Sequence, residues 1–272
     1  MQQNEIDAQN AKFWDELCGS ALARSIGITD ITPETLKKFD QVYMEIYPYL
    51  PGYVTRENLN DKRVLEVGLG YGTLGQFLAL QGCEYFGLDI AEGPVVVMSD
   101  RLRFLGIKTK DHVRIGSALD IPFETESFDF VYSVGCLHHT GNLAQSVEEV
   151  YRVLKPGGKA VIMLYNRHSF RQLVQIPYQR FQKRLTLSGK KNFSEWIRSL
   201  YDTNLNGEVA PYTDYVSRAD VKRLFRKFSA LKIDSQNFDN YVLFKLLLIP
   251  RTNLLNNLGR IVGLDLYIVA QK

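Results

Sequence analysis

An α/β fold built on a mostly parallel sheet is what this 272-residue sequence predicts, and three observations predict it. Residues 63–75 read as strand, glycine turn and helix: Val64-Leu65-Glu66-Val67 is a short apolar run, Gly68, Gly70 and Gly72 follow, and Thr73 to Leu80 opens a helix that ends at Gly82. From there to residue 165 strand-like and helix-like stretches alternate, the rhythm of parallel strands joined by crossover helices. The second strand, Tyr85-Phe86-Gly87-Leu88-Asp89, ends on an acid 21 residues after Gly68.

Glycines at such a turn let the backbone bend sharply and let a ligand approach where a Cβ would clash. The helix that follows offers free N–H groups to a polar ligand end. The turn is therefore of a nucleotide-binding type, and two readings compete. Gly70-x-Gly72-x-x-Gly75 with Asp89 downstream fits a dinucleotide fingerprint, but the glycine that directly follows the strand is Gly68, out of phase with that pattern. The second reading also uses Glu66, because an acid at the strand tip suits a ligand with an ammonium group where a dinucleotide has pyrophosphate. A carboxylate at Asp89 can accept both ribose hydroxyls of either ligand.

The remaining elements follow in order. Residues 1–60 carry helical patterns: Phe13, Trp14, Leu17, Leu22 and Ile26 recur at near-helical spacing, and Thr32-Pro33-Glu34-Thr35 is a helix start with Pro33 at its first position. Leu36, Phe39, Val42, Tyr43, Ile46 and Tyr47 make its apolar face, and Pro48 and Pro51 stop it. That face packs on the domain or caps a ligand cleft, with Trp14, Tyr43, Tyr47 or Tyr49 touching substrate. After Asp89, Pro94 to Leu105 reads as a helix, His112–Ile115 as a third strand and Ser127–Val134 as a fourth. The loop Gly135–Gly141 sits at the carboxyl end of that strand, where open α/β sheets bind ligands. Asn142–Leu154 is a helix, Arg152–Gly158 a turn and Lys159–Tyr165 a strand. Short helices are predicted around Leu173–Phe181 and Phe193–Leu200, and a capping box at Ser217-Arg-Ala-Asp220 opens another. Leu231–Ile233 and Leu264–Ala270 read as the last strands, with amphipathic helices over Val242–Ile249 and Leu254–Val262 between them.

Glu66-Val-Gly68-Leu-Gly70-Tyr-Gly72 resembles the first motif of the Rossmann-like (class I) S-adenosylmethionine-dependent methyltransferases. The string from Leu119 to Gly158, with Leu137-His138-His139 and Arg152-Val-Leu-Lys-Pro-Gly-Gly158, resembles the middle of their small-molecule, type 11-like group. Dehydrogenases do not carry this downstream set, so the resemblance selects S-adenosylmethionine over NAD. It implies a seven-stranded, mostly parallel sheet with helices on both faces, the last strand antiparallel, and helical cap segments. Residues 1–60 would be an N-terminal cap, 61–165 the cofactor core, 166–216 a helical insertion and 217–272 the rest of the core sheet, all in one structural domain. By the same resemblance Glu66, Gly68, Gly70, Tyr71 and Gly72 hold the methionine end, with Tyr71 facing the methyl or covering that end. Asp89 takes the ribose, and Ile90, Ala118, Leu119 and Val134 surround the adenine. Ser117 stands where these enzymes commonly have an Asp that accepts from the adenine amino group, so backbone contacts from Ala118 and Leu119 are expected to substitute.

Methyl transfer from a sulfonium to an O, N or C atom of a small molecule needs the reacting atoms in a row, and orientation alone supplies roughly 7–11 kcal/mol of such a barrier. A base is needed only for a protonated acceptor, and His138 and His139 are the candidates. The alternatives are an inactive cofactor-binding module on the same fold, an NAD-dependent oxidoreductase, and a hydrolase using Cys136 beside the two histidines. Cys18, Cys83 and Cys136 lack metal-ligand spacing, so no metal is expected, and they suit a reducing cytoplasm. The start, Met1-Gln-Gln-Asn-Glu-Ile-Asp, has neither the basic nor the apolar stretch of a signal peptide, and the longest apolar run, Tyr241–Pro250, is interrupted by Lys245. Net charge is +3, yet Arg167, Arg171, Arg180, Lys183, Arg184, Lys190 and Lys191 fall within residues 165–191 with no acid. That basic, apolar-interleaved stretch suits a solvated helix face, an anionic or lipid-like acceptor, or an anionic membrane surface. No nucleic-acid reader motif accompanies it.

Overall fold

The computed structural model describes residues 2–15, 20–107, 112–186, 193–204, 206–243 and 247–272. Leu17, Cys18, Lys190, Lys191 and Lys245 lie outside these residues, as do the side chains of Lys183 and Arg184.

Among the described residues four helices precede the sheet: α1 Gln3–Asp15, α2 Ser20–Ser25, α3 Pro33–Ile46 and α4 Pro51–Val54. The start of α3 is fixed locally, because Thr32 accepts from the Thr35 N–H, Thr35 Oγ1 accepts from the Thr32 N–H, and Pro33 supplies a preset φ. Pro51 opens the short α4 instead of only ending α3, since a first-turn N–H has no helical partner to lose.

The apolar runs β1 Arg63–Val67, β2 Glu84–Asp89, β3 Val113–Ile115, β4 Phe128–Val134 and β5 Leu154–Tyr165 form the parallel part of the sheet. The last of these begins earlier than the sequence suggests, taking in the Lys155–Gly158 turn with a register shift opposite Phe128 and Phe130. Between strands lie α5 Thr73–Ala79, α6 Glu92–Phe104 and α7 Leu143–Val153, the last capped by Asn142. Beyond β5 a π-helical turn, Arg171–Gln175, leads into α8 Ile176–Thr186, then come α9 Phe193–Arg198 and α10 Arg218–Leu224 with the Ser217–Asp220 capping box in place.

Strand β6, Ala230–Gln236, is followed by a separate antiparallel hairpin, β7 Tyr241–Leu243 with β8 Leu247–Ile249. The helix expected over 242–249 is therefore wrong. A short continuous apolar run reads equally as buried helix or strand, and here Tyr241, Val242 and Ile249 favour the extended form. Two short helices, α11 Arg251–Leu255 and α12 Leu258–Val262, replace the single one expected over 254–262, and β9 Asp265–Gln271 ends the sheet.

The seven strands lie in the order β3-β2-β1-β4-β5-β9-β6, with β9 antiparallel to both neighbours. Successive residues of β1 are buried on opposite faces: Leu65 and Val67 pack with Phe86, Ile162, Val147 and Val150, while Val64 packs with Tyr85, Leu78, Met98 and Tyr53. A sheet covered on both faces explains why its strands read as unbroken apolar runs rather than alternating ones. Strand order reverses between β1 and β4, and a crevice opens there at the carboxyl ends of the strands.

Candidate active site

A cavity of about 270 Å³ fills that crevice. At one end the glycine turn bares its backbone: Gly68, Gly70 and Gly72 all have positive φ, of 85°, 54° and 77°. A Cβ at Gly68 would lie 2.3 Å from the Cys136 Cβ, one at Gly72 2.7 Å from the Arg101 Cδ, and one at Gly75 2.4 Å from Glu66 Oε2. Those three serve packing. At Gly70 a Cβ would meet nothing within 4 Å, so this glycine keeps the cleft side of the turn open.

Glu66 and Asp89 end their strands on the cleft lining. Burial pushes the Glu66 carboxyl up to about 8, against the hydroxyl of Tyr85, which donates to it at 2.5 Å. Among the described residues that is its one hydrogen bond, so a ligand ammonium would supply the partner this buried acid lacks. Burial also raises Asp89 to about 6, opposed by backbone N–H donors. Its Oδ2 accepts from the Leu69 N–H at 2.7 Å and its Oδ1 from the Ala91 N–H at 3.0 Å. Both oxygens are thus oriented with lone pairs left for ligand hydroxyls. Ile90, Ser117, Ala118 and Val134 line the adjoining wall, and Tyr71 lines the turn, stacked on Phe39 with ring centroids 4.1 Å apart. Leu119 is off the lining, and its N–H donates to Ser117 Oγ at 3.2 Å. Of the two residues expected to offer backbone to an adenine, only Ala118 is on the lining.

Helices α1 and α3 roof the other end. Gln3 and Asn10 of α1 donate to the carbonyls of Thr140 and His139, both at 2.7 Å, and so bring Trp14 to 5.0 Å from the His139 ring. Tyr43 of α3 and Tyr47, its C-cap, reach the lining, while Tyr49 packs edge-on against Tyr267 behind it. The floor is Met163 and Tyr165 of β5 with Tyr267 of β9, paired in register with Met163.

His139 lies on the lining and His138 behind it. His138 is fully buried, its ring 4.2 Å from His139 and 4.1 Å from Tyr165, and burial holds its basicity well below the usual histidine range. His139 Nδ1 sits 2.8 Å from the Tyr212 carbonyl, which can only accept, so Nδ1 carries a proton and Nε2 is the basic nitrogen of the neutral imidazole. Asp202 Oδ2 stands 3.6 Å from that Nε2, and the Tyr165 hydroxyl donates to the same carboxylate at 3.0–3.1 Å.

Sequence reasoning did not find Asp202, Asn10, Tyr165 or Tyr267. Asp202 belongs to no motif and reaches His139 only through the folded insertion. It also missed Arg101, whose fully buried guanidinium donates to both Asp40 carboxylate oxygens at 2.9 Å and to the Tyr71 carbonyl at 2.6 Å. An arginine on the apolar stripe of Val97, Met98 and Leu102 was the signal available for it. Cys136 does line the cleft, but burial raises its thiol, the opposite of an activated nucleophile.

The sheet order, the antiparallel β9, and a glycine turn flanked by two strand-end acids define the core as a Rossmann-like, class I S-adenosylmethionine-dependent methyltransferase core, with S-adenosylmethionine as its cofactor. Residues 65–162 match the family profile described as Methyltransferase domain. The chain is 29% identical over 157 residues to a ubiquinone biosynthesis O-methyltransferase of Pseudomonas putida, covering 57% of this chain and 66% of that one. It is 37% identical over 106 residues to a phthiotriol/phenolphthiotriol dimycocerosates methyltransferase of Mycobacterium leprae, 38% of each chain. It thus spans just under two thirds of the first relative and much less of the second. Solved structures share the fold: a SAM-dependent methyltransferase from Methanosarcina mazei (TM-score 0.51, 18% identity, 83% of this chain and 97% of that one) and the YcgJ protein from Bacillus subtilis (TM-score 0.53, 18% identity, 83% and 98%).

Proposed function

We propose that this chain transfers the methyl group of S-adenosylmethionine to a nucleophilic atom of a small-molecule acceptor held beneath α1 and α3. The observation that carries this reading is one continuous cleft, with the glycine turn, Glu66 and Asp89 at one end and His139 at the other. The cofactor supplies an electrophilic methyl on a sulfonium, whose C–S electron pair returns to sulfur as the acceptor's lone pair forms the new bond. Glu66 pairs with the ammonium of the methionine end, Gly70 leaves room for it while Gly68 and Gly72 shape the turn, and Asp89 takes the ribose. Of the two histidines His139 is the base, because it lines the cleft and keeps Nε2 as its basic nitrogen, and His138 backs its ring. Residues 1–60 and 166–216 act as acceptor caps on the core of residues 61–165 and 217–272.

Arg167 pairs with Asp220, Arg171 with Asp239, and Arg180 lies 4.6 Å over the Phe193 ring. None lines the cleft, which favours a fastening role for them over recruitment of an anionic acceptor. A second reading of this segment rests on exposed Leu173, Val174, Tyr178 and Phe181 beside Arg180, an apolar and basic face suited to an anionic membrane surface. No helix of the described residues is long and apolar enough to cross a membrane. The free thiols Cys83 and Cys136 suit the cytoplasm expected from the sequence.

The test is a metabolite extract incubated with methyl-labelled S-adenosylmethionine and read by mass spectrometry. A labelled small molecule is expected with the wild-type protein. His139→Gln should lose roughly 10²–10⁴-fold in turnover while keeping affinity for S-adenosylhomocysteine. Cofactor binding without any labelled product would mark an inactive module instead.

A further inference from the structure

We propose that the acceptor end of the cleft is built for a cation, so that the molecule methylated here presents a protonated amine to a wall of aromatic rings and carboxylates. The inference rests on the methyl-transfer reading and names the acceptor class for that site.

The wall beyond the cofactor end is aromatic on three sides: Trp14 from α1, Tyr43 and Tyr47 at the C-terminal end of α3, and Tyr165 with Tyr267 from the sheet. Its charges have one sign. Asp7 and Asp202 lie on the lining, and no lysine or arginine does among the described residues. A third carboxyl, Asp265, is buried two residues from Tyr267 on β9, where burial raises it to about 7 and Asn237 donates to it at 2.9 Å. The arginines near this wall are committed elsewhere. Arg171 is held by Asp239 and the Leu200 carbonyl, and Arg251 by the carbonyls of Ile46 and Phe238.

Charge decides between acceptor classes here. A carboxylate or phosphate would be desolvated beside Asp202 with no counter-charge on the lining, which is costly. A neutral hydroxyl would gain a hydrogen bond but nothing from the ring faces. An ammonium gains from both, because ring faces attract cations and a carboxylate makes a charge-assisted hydrogen bond to N–H. The same groups then serve the reaction. An ammonium must shed a proton before its lone pair can form the N–C bond, as the C–S pair returns to sulfur. His139 Nε2 is the group with a free lone pair to take that proton, and Asp202, 3.6 Å away, stabilises the imidazolium that results.

Calorimetric titration of the protein saturated with S-adenosylhomocysteine tests this, using matched sets at pH 7.5: phenethylamine, 2-phenylethanol and phenylacetate, then butylamine, butanol and butyrate. The amines are expected to bind about tenfold or more tightly than their alcohols, with the carboxylates weakest. Asp202→Asn should shrink that advantage while the variant still binds S-adenosylhomocysteine, which reports an intact fold. An alcohol or carboxylate that matches its amine overturns the proposal. So does an absence of amine binding in protein that holds S-adenosylhomocysteine, or an Asp202→Asn protein with the full amine preference. Failure to bind S-adenosylhomocysteine at all would instead bring down the cofactor reading, and this proposal with it.

Discussion

Glu66 and Asp89 are two acids at the tips of adjacent strands, and burial makes each hold its proton more tightly than it would in an unfolded chain. For Glu66 the folded value of about 8 lies above the ordinary 4.5, so the folded chain binds a proton across that window and the unfolded chain does not. Stability from this group is complete below about pH 4.5 and is lost as pH rises through 8 in the free protein. A ligand ammonium reverses the preference, because it pairs with the carboxylate. Affinity for S-adenosylhomocysteine should therefore tighten between pH 6 and 8, by up to about tenfold per pH unit. Glu66→Gln should bind more weakly and without that slope, as calorimetry at several pH values would record. Asp89→Ala should lose roughly 1.5–3 kcal/mol of the same binding, the cost of hydrogen bonds to a charged group.

At the scale of elements, the glycine turn and α6 depend on each other. Arg101 of α6 ties α3 to the turn through Asp40 and the Tyr71 carbonyl, with its own side chain fully buried. Arg101→Leu leaves the Asp40 carboxylate without its counter-charge, held only by Thr73 and Gln76, and should destabilise the fold by about 2–4 kcal/mol in urea unfolding, less than a wholly buried pair because Asp40 keeps some solvent. The glycines themselves divide by what faces them. Gly68→Ala drives a methyl into Cys136 at a backbone angle few side chains adopt, so loss of the folded state is expected. Gly70→Ala meets nothing and should cost only about 1–2 kcal/mol of stability for its positive φ. Its methyl projects onto the cleft lining, so weaker S-adenosylhomocysteine binding by an otherwise folded protein is the expected result.

For the whole molecule, the cleft joins segments from residue 7 to residue 267, so its ligand bridges most of the chain. A ligand that binds only the folded state stabilises it by about 2.7 kcal/mol at a hundred times its Kd. In a chain of this size that corresponds to a rise in Tm of roughly 5 °C. Scanning calorimetry should record such a rise with S-adenosylhomocysteine and none with NAD. The reverse pattern would return the glycine turn to the dinucleotide reading.

The sequence by itself determined the sheet and the glycine turn with its two flanking acids. Val64–Val67, Glu66 and the three glycines are contiguous, and one βαβ unit, β1–α5–β2, carries Asp89 to the neighbouring strand end. The helix start at Thr32 and the capping box at Ser217 were legible because their signals lie within four residues. The hairpin at 241–249 was not, because an apolar run that short carries no period of its own and takes its form from what it packs against. Only the tertiary structure decided the acceptor end. Asp202 stands 63 residues from His139, Tyr267 faces Met163 across more than a hundred, and Asp40 meets Arg101 across 61. Such pairings leave no periodicity behind, and long-range packing alone separates His139, on the cleft, from His138, one residue away and sealed beneath it.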